Sequence, residues 1–161
     1  PPMSWAVQAR HFHDLGKMML AFVMLWAYFA LSQFLVIWAG NLPEEVPYYL
    51  SRTRGGFRVV SLLLVLFHFV LPFLLLLSRE RKRDARRLAV VAVLLLVMRW
   101  VDVYWLVTPS LSPERLLFHW LDPAAMIAVG GVWLVLFARG LGQRPILPLR
   151  DPLLPEALDH G

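Results

Sequence analysis

Apolar residues in this chain run in long blocks, without the three-to-four-residue spacing that gives a soluble helix its polar face. Met18–Trp38 covers 21 residues with Ser32 and Gln33 as its clearly polar members. Val59–Leu77 covers 19, with Ser61, His68 and Pro72 inside it, and Leu88–Val107 covers 20, interrupted by Arg99 and Asp102. A fourth block, Ala124–Ala138, is shorter. It reaches spanning length when extended back through Asp122, Trp120 and His119 toward Leu116, with Pro123 as a kink. At 1.5 Å per residue, about 20 helical residues cross a bilayer core of roughly 30 Å. The pattern predicts an all-α polytopic membrane protein with four transmembrane helices, at about 14–39, 57–77, 86–107 and 118–138. It forms a single membrane domain and part of a larger helical bundle. A proline-rich tail follows at 139–161, carrying Pro145, Pro148, Pro152 and Pro155. The first block is too long for a signal peptide, and no small-residue cleavage site follows it.

Composition sharpens this picture. Of 161 residues, 59% are apolar and 17% charged, against about 45–50% and about 25% in a soluble domain. The mean hydropathy is +0.61. There is no cysteine, so this chain offers no thiolate for a disulfide, an iron–sulfur cluster or covalent catalysis. The net charge of +5 would suit nucleic acid, but the charges are placed as topology signals. Ser78–Arg87, SRERKRDARR, holds six basic residues between the second and third blocks. With Arg10, Lys17, Arg139, Arg144 and Arg150 it puts eleven cations on one side, against Arg52, Arg54, Arg58 and Arg115 on the other. The positive-inside rule then places both termini in the cytoplasm, and the basic loop beside anionic lipid. Two connections face outward, Gly40–Gly56 and Thr108–Leu121, both rich in proline and aromatics. Trp38, Tyr48, Tyr49, Tyr104, Trp105 and Trp120 sit at their level as an aromatic belt.

Ionisable groups inside a bilayer are costly and are functional candidates by default. His68, Arg99 and Asp102 are the clear ones. His68 lies nine residues from Leu77, roughly 14 Å up its helix, and Arg99 lies eleven from Leu88, roughly 16 Å up. Asp102 is one turn further out and shares a helix face with Arg99. The three can meet between the midplane and the outer surface. Two readings stand. One is an ion pair that locks helix packing, with His68 bonded to it. The other is a proton relay or a polar site for a quinone head group, since quinol oxidation releases two protons with its electrons. Weaker candidates are Asp14, with Lys17 and the pair His11 and His13 near it, where a solvated helix start competes with a metal site. Gln33 suits an interhelical hydrogen bond. Glu44 and Glu45 in the outer connection are solvated charges or proton donors and acceptors at the surface. His119 and Asp122 either extend a polar path outward from Asp102 or cap the fourth helix before Pro123. Gly130 and Gly131 permit close helix packing. No metal site is expected in this chain.

The segment Phe12–Leu50 contains FHDLGK, LWAYFALSQ and IWAGNLPEE. With HFVLPFLLLLSRERKR at His68–Arg83 and RWVDVYWLV at Arg99–Val107, it resembles the NrfD/PsrC-like membrane subunits of bacterial alternative complex III. The closer likeness is to the second of the two, the ActF type, over nearly the whole chain. Members of that family have about ten membrane helices, so the chain, which starts Pro-Pro-Met, is expected to correspond to the C-terminal four. The resemblance implies a subunit of a quinol:cytochrome c (or cupredoxin, or oxidase) oxidoreductase in the bacterial inner membrane, not catalytic alone. It implies menaquinol or ubiquinol as the complex's substrate. It also implies partners: a sister NrfD-like subunit, an iron–sulfur subunit and c-type cytochrome subunits, which carry the redox cofactors while this chain binds none. Lipid is the remaining partner, and no nucleic acid is expected. In the family the better-supported quinol site lies in the sister subunit, which makes His68, Arg99 and Asp102 polar-path residues first. A purely structural scaffold and part of a secondary transporter remain as alternatives, although no repeated halves with broken helices are visible.

Overall fold

The computed structural model describes residues 9–111 and 119–143. Among these every element is helical: α1 (Ala9–Gly40), α2 (Val46–Thr53), α3 (Gly55–Leu63), a π-helical segment (Leu64–Val70), α4 (Leu71–Leu77), α5 (Arg79–Arg83), α6 (Ala85–Leu111) and α7 (Leu121–Gln143). Four stretches are long and apolar enough to cross a membrane: α1, the continuous run Gly55–Leu77, α6 and α7. The protein is an all-α polytopic membrane protein.

The described residues divide into two compact units, 9–111 and 119–143. In the first unit three spans pack through a core of Val23, Leu76, Leu88 and Val91, with Phe12, Leu20, Phe69 and Phe73 against it. Lipid tails are as apolar as leucine, so close packing and polar contacts hold such helices together where water-driven burial cannot. At Gly16 the packing is close. A Cβ on it would stand 2.6 Å from Cγ of Lys82. The aliphatic stem of Lys82 is thus buried against α1, and the short helix α5 is drawn onto the foot of α1.

Several boundaries differ from the sequence expectation, each for a local reason. The connection after α1 is not a loop throughout. Asn41 closes α1 in the left-handed conformation, φ 47°, with its N–H on the Ile37 carbonyl at 3.1 Å, a helix stop that asparagine tolerates. Four residues later the chain turns again into α2, with Pro47 in its first turn. An extended Arg54 and the left-handed Gly55, φ 53°, then join α2 to α3. The third span does not stop at Val107 but runs on through Pro109 to Leu111. The fourth begins at Leu121 and runs to Gln143, past the expected start of the tail. At the basic loop, Ser78 breaks the helix and Asp84 starts the next one. Its Oδ1 accepts from the Arg86 and Arg87 N–H groups at 2.9 and 3.4 Å, two of the donors that a helix start leaves free. The expected tail prolines, Leu116 and Arg115 lie outside the described residues.

Candidate functional site: a buried polar cluster across three spans

The π-helical segment is the element that positions His68. Pro72 has no N–H to offer the His68 carbonyl four residues back, and its ring crowds that turn. The helix widens there, and the Leu71 N–H bonds to the Leu66 carbonyl five residues back. Such wide turns inside α-helices recur at functional sites. His68 is buried as a result.

His68, Arg99 and Asp102 are brought together, as the depth estimate predicts. Arg99 Nη1 donates to Asp102 Oδ2 at 2.6 Å, across one helical turn of α6. Asp102 is only 4% exposed. The fourth member was not foreseen. Trp26 of α1 donates from Nε1 to the same Asp102 oxygen at 3.2 Å. Its ring also stacks on the His68 imidazole, with centroids 4.3 Å apart and planes 8° from parallel. A signal for it exists in the sequence. Trp26 lies nine residues above Lys17, roughly 14 Å, the height at which His68 stands above Leu77. The His68 ring has the Met98 backbone as a polar neighbour. Its Nδ1 is buried without a hydrogen-bond partner among the described residues.

The Arg99 side chain is 58% exposed while its partner is sealed. An arginine open at mid-span demands cover by protein, water or a polar ligand. Two cavities meet at this point. One, of about 610 Å³, lies toward the basic end and includes Trp26, His68 and Arg99 in its walls. The other, of about 370 Å³, lies toward the opposite end and includes Gln33, Arg99 and Asp102. Gln33 therefore joins the cluster's surroundings, as a wall of the second cavity.

Asp14, Glu44 and Glu45 stand apart from the cluster, and His119 and Asp122 belong to the second unit. Asp14 pairs with Lys17 at 2.9 Å in an exposed contact, twelve residues, or roughly 18 Å, down α1 from Trp26. Glu44 and Glu45 are exposed in the turn before α2. His119 and Asp122 take the capping arrangement. Asp122 Oδ2 accepts from the His119 N–H at 3.0 Å, and His119 Nδ1 accepts from the Leu121 N–H at 3.3 Å. A Cβ on Gly130 or Gly131 would meet nothing within 4 Å. Among the described residues no three His, Cys, Asp or Glu side chains gather as a metal site would need.

Arg52, counted above as an outward topology charge, is instead 2% exposed. It donates to the Tyr48 carbonyl at 2.8 Å and the Leu106 carbonyl at 2.6 Å. Its guanidinium lies 3.6 Å from the Tyr48 ring centroid and 5.5 Å from that of Trp105. Pro109 has no N–H for the Trp105 carbonyl four residues back, and in the same turn Arg52 donates to the neighbouring Leu106 carbonyl. Tyr48 and Trp105, expected as belt residues, here hold that cation. Trp105 Nε1 also donates to Ser61 Oγ at 2.7 Å, which ties α6 to α3. Burial lowers the Arg52 pKa from its ordinary value, and the nearby tyrosines oppose that shift. The signal in the sequence was the pairing of an arginine on a tyrosine-rich outer segment with a mid-helix proline.

No protein-family model matches the chain, and no curated protein matches it.

Proposed function

We propose that this chain is a membrane subunit of a respiratory quinol:electron-acceptor oxidoreductase of the alternative complex III kind, and that Trp26, His68, Arg99 and Asp102 form its proton-handling centre. The observation that carries the reading is Asp102. It is a sealed carboxylate with two donors on one oxygen, next to a stacked histidine that keeps a nitrogen unbonded. A carboxylate and an imidazole held by one tryptophan, with an open pocket on either side, suit a group passing protons to or from a quinol. The motifs around FHDLGK and RWVDVYWLV support the family assignment. The open side of Arg99 supports a larger bundle, in which a sister NrfD-like subunit covers that face. Iron–sulfur clusters and c-type haems belong to the partner subunits in this reading. Menaquinol or ubiquinol is the complex's substrate. The protein sits in the bacterial inner membrane with its basic loop in the cytoplasm.

A second reading has its own support. The Trp26–Asp102 hydrogen bond from α1 to α6, with Arg99 neutralising Asp102 from its own helix, is also what a packing lock would look like, and a scaffold subunit would need nothing more.

The family assignment is tested by purifying the chain, affinity-tagged, from native membranes in mild detergent. Haem and iron content and quinol:cytochrome c activity are then measured. Co-purification of c-type haem, iron–sulfur protein and quinol oxidation is the expected result. A chain that comes without haem or iron refutes the assignment.

A further inference from the structure

The basic end of the first unit holds a groove that takes no part in the cluster. It has a volume of about 460 Å³ and is walled by Leu75, Leu76, Leu88, Val90 and Val91, with Arg81 and Arg87 completing the lining. Leu75 and Leu76 belong to the last turn of the second span, and Leu88–Val91 to the opening turns of the third. The apolar walls therefore sit where hydrocarbon begins. The two arginines come from α5 and from the first turn of α6, where the head groups begin. Asp84 is the counter-charge here, at 3.1 Å from Arg87 Nε in an exposed pair. Around it the segment Ser78–Arg87 carries six basic residues against two acidic ones, so the mouth of the groove is positive.

We infer that this groove binds an anionic glycerophospholipid from the leaflet on the basic-loop side, with an acyl chain along the leucine and valine wall and the phosphate against Arg81 and Arg87. The guanidinium fork matches phosphate oxygens in pairs. Basic pockets between membrane helices on this side are suited to anionic head groups. The volume lies in the range of small-molecule sites. Charge complementarity selects lipid over a protein helix, because an apolar helix in the groove would leave the surplus of six basic over two acidic residues at its mouth unanswered. The site stands on membrane insertion alone and does not depend on the respiratory assignment.

The test uses the full chain, purified with whatever subunits accompany it, and native mass spectrometry of bound lipid. Mixed micelles containing palmitoyl-oleoyl phosphatidylglycerol or the corresponding phosphatidylcholine are the probes, and glycerophosphoglycerol is the competitor without acyl chains. Two variants are compared: Arg81→Gln with Arg87→Gln, which removes the anion contacts, and Val90→Trp, which fills the groove and keeps every charge. Val90 is 69% exposed, so its replacement leaves the fold in place and carries the test if the double variant does not accumulate. The expected result is retained phosphatidylglycerol in preference to phosphatidylcholine, lowered about tenfold or more in each variant, with no competition by the head group alone. Equal retention of the two lipids overturns the site. Retention by Val90→Trp at the wild-type level overturns it too, and reduces the effect to a basic surface. A wild-type groove that takes no lipid while Val90→Trp dissociates an accompanying subunit assigns the groove to a protein partner and also overturns the proposal.

Discussion

Asp102 and Trp26 are the residues whose chemistry is easiest to separate from their shape. Trp26 does two things at once, stacking on His68 and donating to Asp102. Trp26→Phe keeps an aromatic ring over the imidazole and removes the donor. Hydrogen bonds between membrane helices average about 0.6 kcal/mol. The variant is therefore expected to assemble and to lose less than about 1 kcal/mol in a detergent unfolding titration, while quinol turnover falls. A loss of assembly with no change in turnover per assembled complex would make Trp26 a packing residue. His68, Arg99 and Asp102 were legible in the sequence because polar groups stand out against an apolar span and their heights follow from the helix rise. Trp26 was not, because a tryptophan in a span reads first as packing or belt. His119 and Asp122 show the limit of that logic. Three-residue spacing served a capping arrangement as well as a path, and the hydrogen bonds are those of the cap.

Between elements, two contacts hold the first unit where helix propensity cannot. Arg52 ties α2 to the proline-interrupted end of α6. Arg52→Lys keeps the charge but loses the fork and the flat face over Tyr48. A destabilisation of about 1–3 kcal/mol, the cost of leaving buried partners unmet, is expected from thermal or denaturant unfolding, with turnover of the assembled complex unchanged. At the other end Gly16 admits the Lys82 stem. Gly16→Ala should cost about 1–3 kcal/mol through overpacking. Lys82→Ala in the same chain should recover most of it, a coupling that a double-mutant cycle measures. The spans themselves were readable from block length. Their detailed ends were not. The π-helical turn depends on how the helix answers Pro72, and beside the run through Pro109 the Leu106 carbonyl takes a donor from Arg52, 54 residues upstream of it. Neither leaves a trace in hydropathy.

At the level of the whole molecule, the four apolar helices establish a multi-pass membrane protein, and the half-open Arg99 indicates what must surround it. A charged side chain exposed in mid-span is tolerable only within a larger assembly or beside bound water or ligand. In the function proposed above, that cover comes from a neighbouring subunit. The central claim is that Asp102 handles protons during quinol oxidation, and Asp102→Asn tests it most directly. Asparagine keeps the size and can still accept from Trp26 and Arg99, yet it cannot take up or release a proton. In complex purified with full haem and iron content, turnover or proton release should fall by about 100-fold or more, the scale on which a positioned acid–base group acts. Turnover and proton release equal to wild type, in a variant assembled with its full cofactor content, would contradict the account and leave Asp102 as half of a structural ion pair.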